Sequence, residues 1–437
     1  MGGRMEFDTI SSRIFRSLPL SILIIVLWLV SDSNATSQWA RKTGIQCTGC
    51  HTVFPRLNTM GEDFLRGGYQ LEAAHAQDEL FLEKVENLFG FRVNITPIML
   101  ETNTLLEDSA SSPKTRLTIG NPIWLQMFVA GSIYKDISFF SELEHAQGSF
   151  KFNWFYFNFT NLGNSPYLNF QLGNISPVEF ASYPNRLPQL PALKSPIMQI
   201  KSSAGQGEES VDMSGARPGI QYFGYNDWGL LYLGLTPGAK AVDVNQFLHY
   251  WIGFVFRLPK DVVTGFEGST ATIHYYQGTD TKGTGIAAGP QIENKFNRVS
   301  PQVNIRFRDR LDIQAAYVMI TEDNVGLIEG TTEDYKHSGI SVEAGYMPNP
   351  KWHLGLHFDA HQSDDDITAG DPGEGEPIVK FSRVVPAITY VVNENIRFTS
   401  YFELDLLKER SPSGTYIADE DDQKAVNIIY INMRTMF

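Results

Sequence analysis

From Leu88 to Phe437 the chain alternates apolar and polar residues with period two. Val303, Ile305 and Phe307 alternate with Gln302, Asn304 and Arg306. Leu248, Tyr250, Ile252, Phe254 and Phe256 stand against His249, Trp251 and Arg257, and Ile396, Phe398, Phe402 and Leu404 against Arg397, Thr399, Glu403 and Asp405. Successive side chains of a strand point to opposite faces, so each run carries one apolar and one polar face. A soluble all-β protein with one wet face would alternate in the same way. Here, however, the apolar face is rich in Phe, Tyr, Trp, Ile and Leu along nearly every run, as expected of strands that meet lipid.

The pattern predicts sixteen strands, over 88–100, 122–134, 137–147, 150–160, 167–174, 217–225, 228–236, 246–258, 269–277, 299–307, 311–321, 338–347, 351–361, 378–391, 396–407 and 424–437. Outer-membrane barrels have even strand numbers, short periplasmic turns and longer outer loops. Counting back from Phe437, connections 408–423, 362–377 and 322–337 are long, while 392–395, 348–350 and 308–310 are short. Two connections fit less well, the long 259–268 on the turn side and the short 148–149 on the loop side. The longest, 175–216, carries five prolines and falls on the outer side. It reads as an ordered loop at the surface or folded into the mouth, with a mobile loop as the alternative. The last strand ends Ile429-x-Ile431-x-Met433-x-Thr435-x-Phe437, which resembles the assembly signal of bacterial outer-membrane proteins. The expected fold class is all-β: an antiparallel transmembrane outer-membrane barrel of about sixteen strands with a small N-terminal α-helical module.

Residues ahead of the barrel change the picture. Arg13 and Arg16 precede an apolar run from Leu18 to Val30, and Ser33-Asn34-Ala35 follows. This reads as a signal peptide over 1–35, the apolar run being short of the ~20 residues a spanning helix needs. Residues 36–86 hold Cys47-Thr48-Gly49-Cys50-His51, then breaks at Pro55 and Gly67-Gly68, which suggests short helices. C-x-x-C-H is the pattern of a covalent c-type haem: two thiols add to the vinyl groups and the histidine ligates iron. Both cysteines of the chain lie in this run, so neither a disulfide framework nor a Cys-rich zinc site is expected. A module of this size is too small to bury a haem alone and must pack against the barrel, which covers 87–437. The formal net charge of −14 makes nucleic acid a poor partner.

The stretch Ala40-Arg41-x-Thr43-Gly44-x-x-Cys47-x-x-Cys50-His51-x-x-Phe54-Pro55-x-Leu57-Asn58-x-x-Gly61-x-x-Phe64-x-x-x-Gly68-Tyr69 resembles the fused outer-membrane monohaem cytochrome–porins of iron-oxidising bacteria. The resemblance implies one haem c held by Cys47, Cys50 and His51. It further implies oxidation of extracellular Fe(II), and transfer of the electron to a periplasmic cytochrome or cupredoxin. The module would then sit on the periplasmic or lumen side of the outer membrane, in contact with its lipid only through the barrel. An outward electron conduit and a solute porin without redox role are the competing functions.

Other residues with metal chemistry are fewer. Met60 and His75 are the candidates for the sixth iron ligand near the motif, with a residue of the barrel as the further option. In the run 351–361, His353, His357, Asp359 and His361 share the polar face, which should line the lumen. The three histidines are candidate Fe(II) contacts, although a barrel lumen is polar by default. Acidic clusters at 364–376 and 419–422 fall in outer loops and would raise the local cation concentration. The Gly-rich run from Gly283 to Gly289 reads as a loop, and there is no Walker loop or nucleophile triad.

Overall fold

A computed structural model describes residues 38–53, 55–70, 87–105, 114–146, 149–184, 187–190, 193, 195–205, 207–240, 247–259, 262–282, 292–330, 335–363, 381–406 and 424–436. The leader read at 1–35, His75, Phe437 and both acidic clusters lie outside these residues. Three short helices open the described chain: α1 (Gln38–Thr43), α2 (Cys47–Cys50) and α3 (Thr59–Arg66). The strands follow as β1 (Phe89–Leu105), β2 (Lys114–Tyr134), β3 (Ile137–Ala146), β4 (Ser149–Phe159), β5 (Asn169–Ile175) and β6 (Arg217–Asn226). Next come β7 (Gly229–Thr236), β8 (His249–Arg257), β9 (Thr270–Lys282), β10 (Ile292–Phe307) and β11 (Leu311–Glu322). The last five are β12 (Tyr335–Asn349), β13 (Trp352–Ser363), β14 (Phe381–Asn393), β15 (Ile396–Asp405) and β16 (Lys424–Met436).

All sixteen strands pair antiparallel with their sequence neighbours, and β1 pairs with β16 to close the barrel. Closure removes every unpaired edge, which an apolar bilayer requires. The outward positions carry the apolar set: Tyr250, Ile252, Phe254 and Phe256 on β8, and Trp352, Leu354 and Leu356 on β13, are all exposed. The polar set points inward and is buried, including Asn304 and Arg306 on β10 and His353 and His357 on β13. This is the pattern of an outer-membrane barrel with protein in its lumen.

Four strands run five or more residues further than the alternation foretold. β1 continues to Leu105 instead of 100, β2 begins at Lys114 instead of 122, β9 continues to Lys282 instead of 277, and β10 begins at Ile292 instead of 299. All four extensions lie at the long-loop end. On β10 the outward residues there are Glu293, Lys295 and Asn297, while Asn294 and Arg298 are buried inside. Where a strand rises beyond lipid both faces are polar, and the period-two signal vanishes although the ladder continues. In β2 the strand also passes Gly120 at φ +65°, and its register with β1 shifts near Ile95 and Pro122. Gly120-Asn121-Pro122 is thus an irregularity within one strand.

The loop between β5 and β6 is not a surface feature. It runs into the lumen and crosses it. Ser182 Oγ bonds Thr270 and Thr272 on β9 at 2.8 and 2.7 Å, and Gln302 of β10 accepts from the Tyr183 amide at 2.8 Å. The Gln189 and Leu190 amides both donate to the Glu343 carboxylate of β12. Leu190 and Leu193 then pack with Val385, Ala387, Tyr401 and Tyr430 on β14–β16. Its backbone amides and small polar side chains replace solvent contacts with bonds to the lumen wall, as buried backbone demands.

Candidate functional site

The N-terminal helices fill the turn end of the same lumen. Asn58 joins them: its Oδ1 accepts from the Gly61 amide at 2.9 Å and caps α3, while its Nδ2 donates to the Gly49 carbonyl at 2.9 Å. A cap of this kind contributes about 1 kcal/mol. Gly61 permits the close crossing, because a β-carbon there would fall on the Cys50 carbonyl oxygen and 2.9 Å from Leu57 Cδ2.

Two sets of contacts hold the module to the wall. The first is aromatic: Trp39 stacks on Tyr69 at 5.0 Å, Tyr69 on Phe140 of β3 at 5.3 Å, and Phe140 on Tyr156 of β4 at 5.5 Å. The Tyr69 and Tyr156 hydroxyls share a 2.6 Å hydrogen bond. Tyr69 holds φ +63°, a left-handed conformation costing roughly 1–3 kcal/mol, which the stacks and the bond offset. The second set is ionic. Arg56 is buried and pairs with Asp312 of β11 at 2.9 Å and with Asn304 Oδ1 at 2.8 Å. Arg306 reaches Glu62 at 2.5 Å and the Leu57 carbonyl at 2.9 Å. Arg257 reaches Asp63 at 2.6 Å. The Thr59 side chain lies against Gly268 in the long turn between β8 and β9. That turn therefore packs against the start of α3.

Between module and wall lies a partly open cavity of about 100 Å³. Cys47, Cys50 and His51 line it together with the ring system of Trp39, Phe64, Tyr69, Phe128 and Phe140. The barrel adds Arg92, Glu142 and Met436, and the lumen loop adds Leu187. His51 Nδ1 lies 3.1 Å from the Pro55 carbonyl oxygen, which can only accept, so Nδ1 carries the proton and Nε2 keeps the lone pair. Pro55 therefore sets both the tautomer and the ring orientation. Neither cysteine is in a disulfide. A second void shares Cys47, His51 and Met436 and is bounded by Arg397 and Arg434.

Of the other residues singled out from sequence, Met60 is 41% exposed and does not line the cavity. His353, His357 and His361 do face the lumen and are buried, but each has its own protein partner. His353 Nε2 lies 3.4 Å from Gln189 Oε1. His357 sits between Glu343 at 3.3 Å and Asp359 at 2.6 Å, with Arg383 on the far side of Asp359 at 2.9 Å. His361 meets His337 at 3.1 Å. Among the described residues no three metal-binding side chains converge. Sequence reasoning overlooked Met436. Its signal was an apolar residue on the otherwise polar inward face Asn432, Arg434, Met436.

No protein-family profile matches the chain, and no curated protein matches it. Solved structures do. The anion-selective porin from Comamonas acidovorans aligns at TM-score 0.51 and 10% identity, over 80% of this chain and 99% of that one. OprB of Pseudomonas putida, in its high-pH structure, aligns at TM-score 0.51 and 10% identity, over 80% of this chain and 94% of that one. The chain thus has the fold of the porins, and its own addition to that fold is a helical module built into the lumen around a C-x-x-C-H motif.

Proposed function

We propose that this protein is an outer-membrane c-type cytochrome built on a porin barrel, which oxidises extracellular Fe(II) and delivers electrons to a periplasmic carrier. The observation that carries the reading is the C-x-x-C-H run opening onto an aromatic-walled cavity, with the His51 tautomer set by Pro55. The residues fit a haem: Cys47 and Cys50 for the thioethers, His51 Nε2 for iron, flat rings for the macrocycle. Arg92, Arg397 and Arg434 at the adjoining wall suit its carboxylates. When bound, the haem supplies reversible one-electron chemistry. Each Fe(II) oxidised to Fe(III) gives up one electron, and an oxidised periplasmic cytochrome or cupredoxin takes it up. The filled lumen supports electron rather than solute traffic, because the loop and the module both bond across it.

A solute porin is the second reading, favoured by the barrel fold. Haem staining and a reduced-minus-oxidised spectrum of outer-membrane fractions, with and without Fe(II), separate the two. A Soret band that responds to Fe(II) is expected. A purified barrel without haem returns the protein to the porins. An Fe(II)-unresponsive haem of low midpoint potential favours the outward conduit.

A further inference from the structure

We propose that Met436, at the end of the last barrel strand, is the iron ligand opposite His51. The inference rests on the haem reading above and names a residue of the barrel, not of the module, as the closing half of that site. Protein ligands to haem iron are drawn from His, Met, Cys and Tyr. Among the residues lining the cavity, Cys47 and Cys50 are committed to thioethers and His51 to the proximal side. Tyr69 is engaged through its hydroxyl with Tyr156 at 2.6 Å. Among the described residues lining this cavity Met436 remains, with a thioether and 9% exposure, whereas Met347 lines only the adjoining void. It lines both voids that meet at Cys47 and His51, from the wall side. It pairs in register with Arg92 across the β1–β16 seam. Met60, the nearer methionine in sequence, is 41% exposed outside the cavity.

The arrangement has a consequence. Ligation by Met436 would tie the seam strand to the module, so haem insertion and barrel closure would support each other. A thioether ligand also holds the potential high, as inward electron flow needs.

The test uses the full-length protein purified from outer membranes, with Met436→Leu, Met436→His and Met60→Leu. Leucine for methionine conserves volume and costs under ~1.5 kcal/mol, so closure is retained and is checked by heat-dependent mobility on gels. Haem content, the weak red charge-transfer band of thioether-ligated ferric haem, and CO binding to the reduced protein are read for each. Wild type and Met60→Leu should show the band and resist CO. Met436→Leu should keep its haem, lose the band and bind CO. Met436→His should restore low-spin haem at a lower midpoint potential. A haem-loaded wild type without the band, or a Met436→Leu that retains it, overturns the assignment. A wild type without any haem overturns the function proposed above as well, and haem staining reports that outcome separately.

Discussion

Glu62 is the residue on which docking of the N-terminal module turns. Its carboxylate is mostly buried and faces Arg306 at 2.5 Å, with Arg66 and Arg56 each at 3.9 Å. Burial alone would raise its pKa. Arg306, Arg66, Arg56 and Arg257 outweigh that cost and hold the carboxyl below the usual range. Replacing it by glutamine keeps the shape and removes a carboxylate that three buried guanidinium groups share, leaving Arg56 and Arg306 only Asp312, and Arg66 only Asp63, as ion-pair partners among the described residues. Breaking a buried pair from one side costs about 3–5 kcal/mol. The lower figure already shifts the docked-to-undocked ratio roughly 100-fold. Hydrogen exchange measured by mass spectrometry on peptides covering α3 reads this opening directly, because local opening sets amide protection. Glu62→Gln should reduce protection there by roughly 100-fold while leaving the ladders of β6–β8 unchanged. The pH dependence follows from the lowered pKa. The stabilisation is fully present above the unfolded value of ~4.3 and is lost as pH falls through the lower docked value. Wild-type α3 should therefore loosen in acid, and the variant should show a flatter dependence. Unchanged protection in Glu62→Gln at neutral pH would refute the idea that these charges hold the module.

Other substitutions probe the site and the lumen. Gly61→Ala forces α3 away from the Cys50 carbonyl and should lower covalent haem per chain, read from the Soret absorbance against protein. Exchanging His353, His357 and His361 together for glutamine should lower the unfolding temperature, since the three serve as hydrogen-bond partners of loop and wall. A loss of Fe(II) turnover with unchanged spectrum and unchanged melting would instead mark them as metal contacts. In planar bilayers the wild type should conduct far less than an open sixteen-stranded pore, and deletion of 178–213 should raise the conductance. An open-pore conductance in the wild type would show that the loop leaves the lumen.

What could be read from sequence follows the solvent. Wherever a strand separates lipid from a polar lumen, the two environments impose period two, and β6, β7, β11 and β15 begin and end within two residues of their expected limits. Where both faces carry mostly polar residues, as on Glu293 to Arg298, the pattern fades and the strand is found only by its pairing with β9 and β11. The site was half legible for a similar reason. In the proposed haem site covalent chemistry would constrain spacing, so Cys47, Cys50 and His51 declare themselves within five residues. The wall of the same cavity comes from Arg92, Phe128, Phe140, Leu187 and Met436, which no spacing connects. They are brought together by barrel closure, and β1 meets β16 across more than 300 residues of chain, Arg92 beside Met436. A module of some fifty residues could not supply that wall from its own sequence. The ionic and aromatic contacts that dock it are therefore part of the site: Arg56 on Asp312 sets the motif's depth in the lumen, and Tyr69 on Tyr156 sets its rotation. Weakening either should move the cavity's two halves apart before it unfolds the barrel.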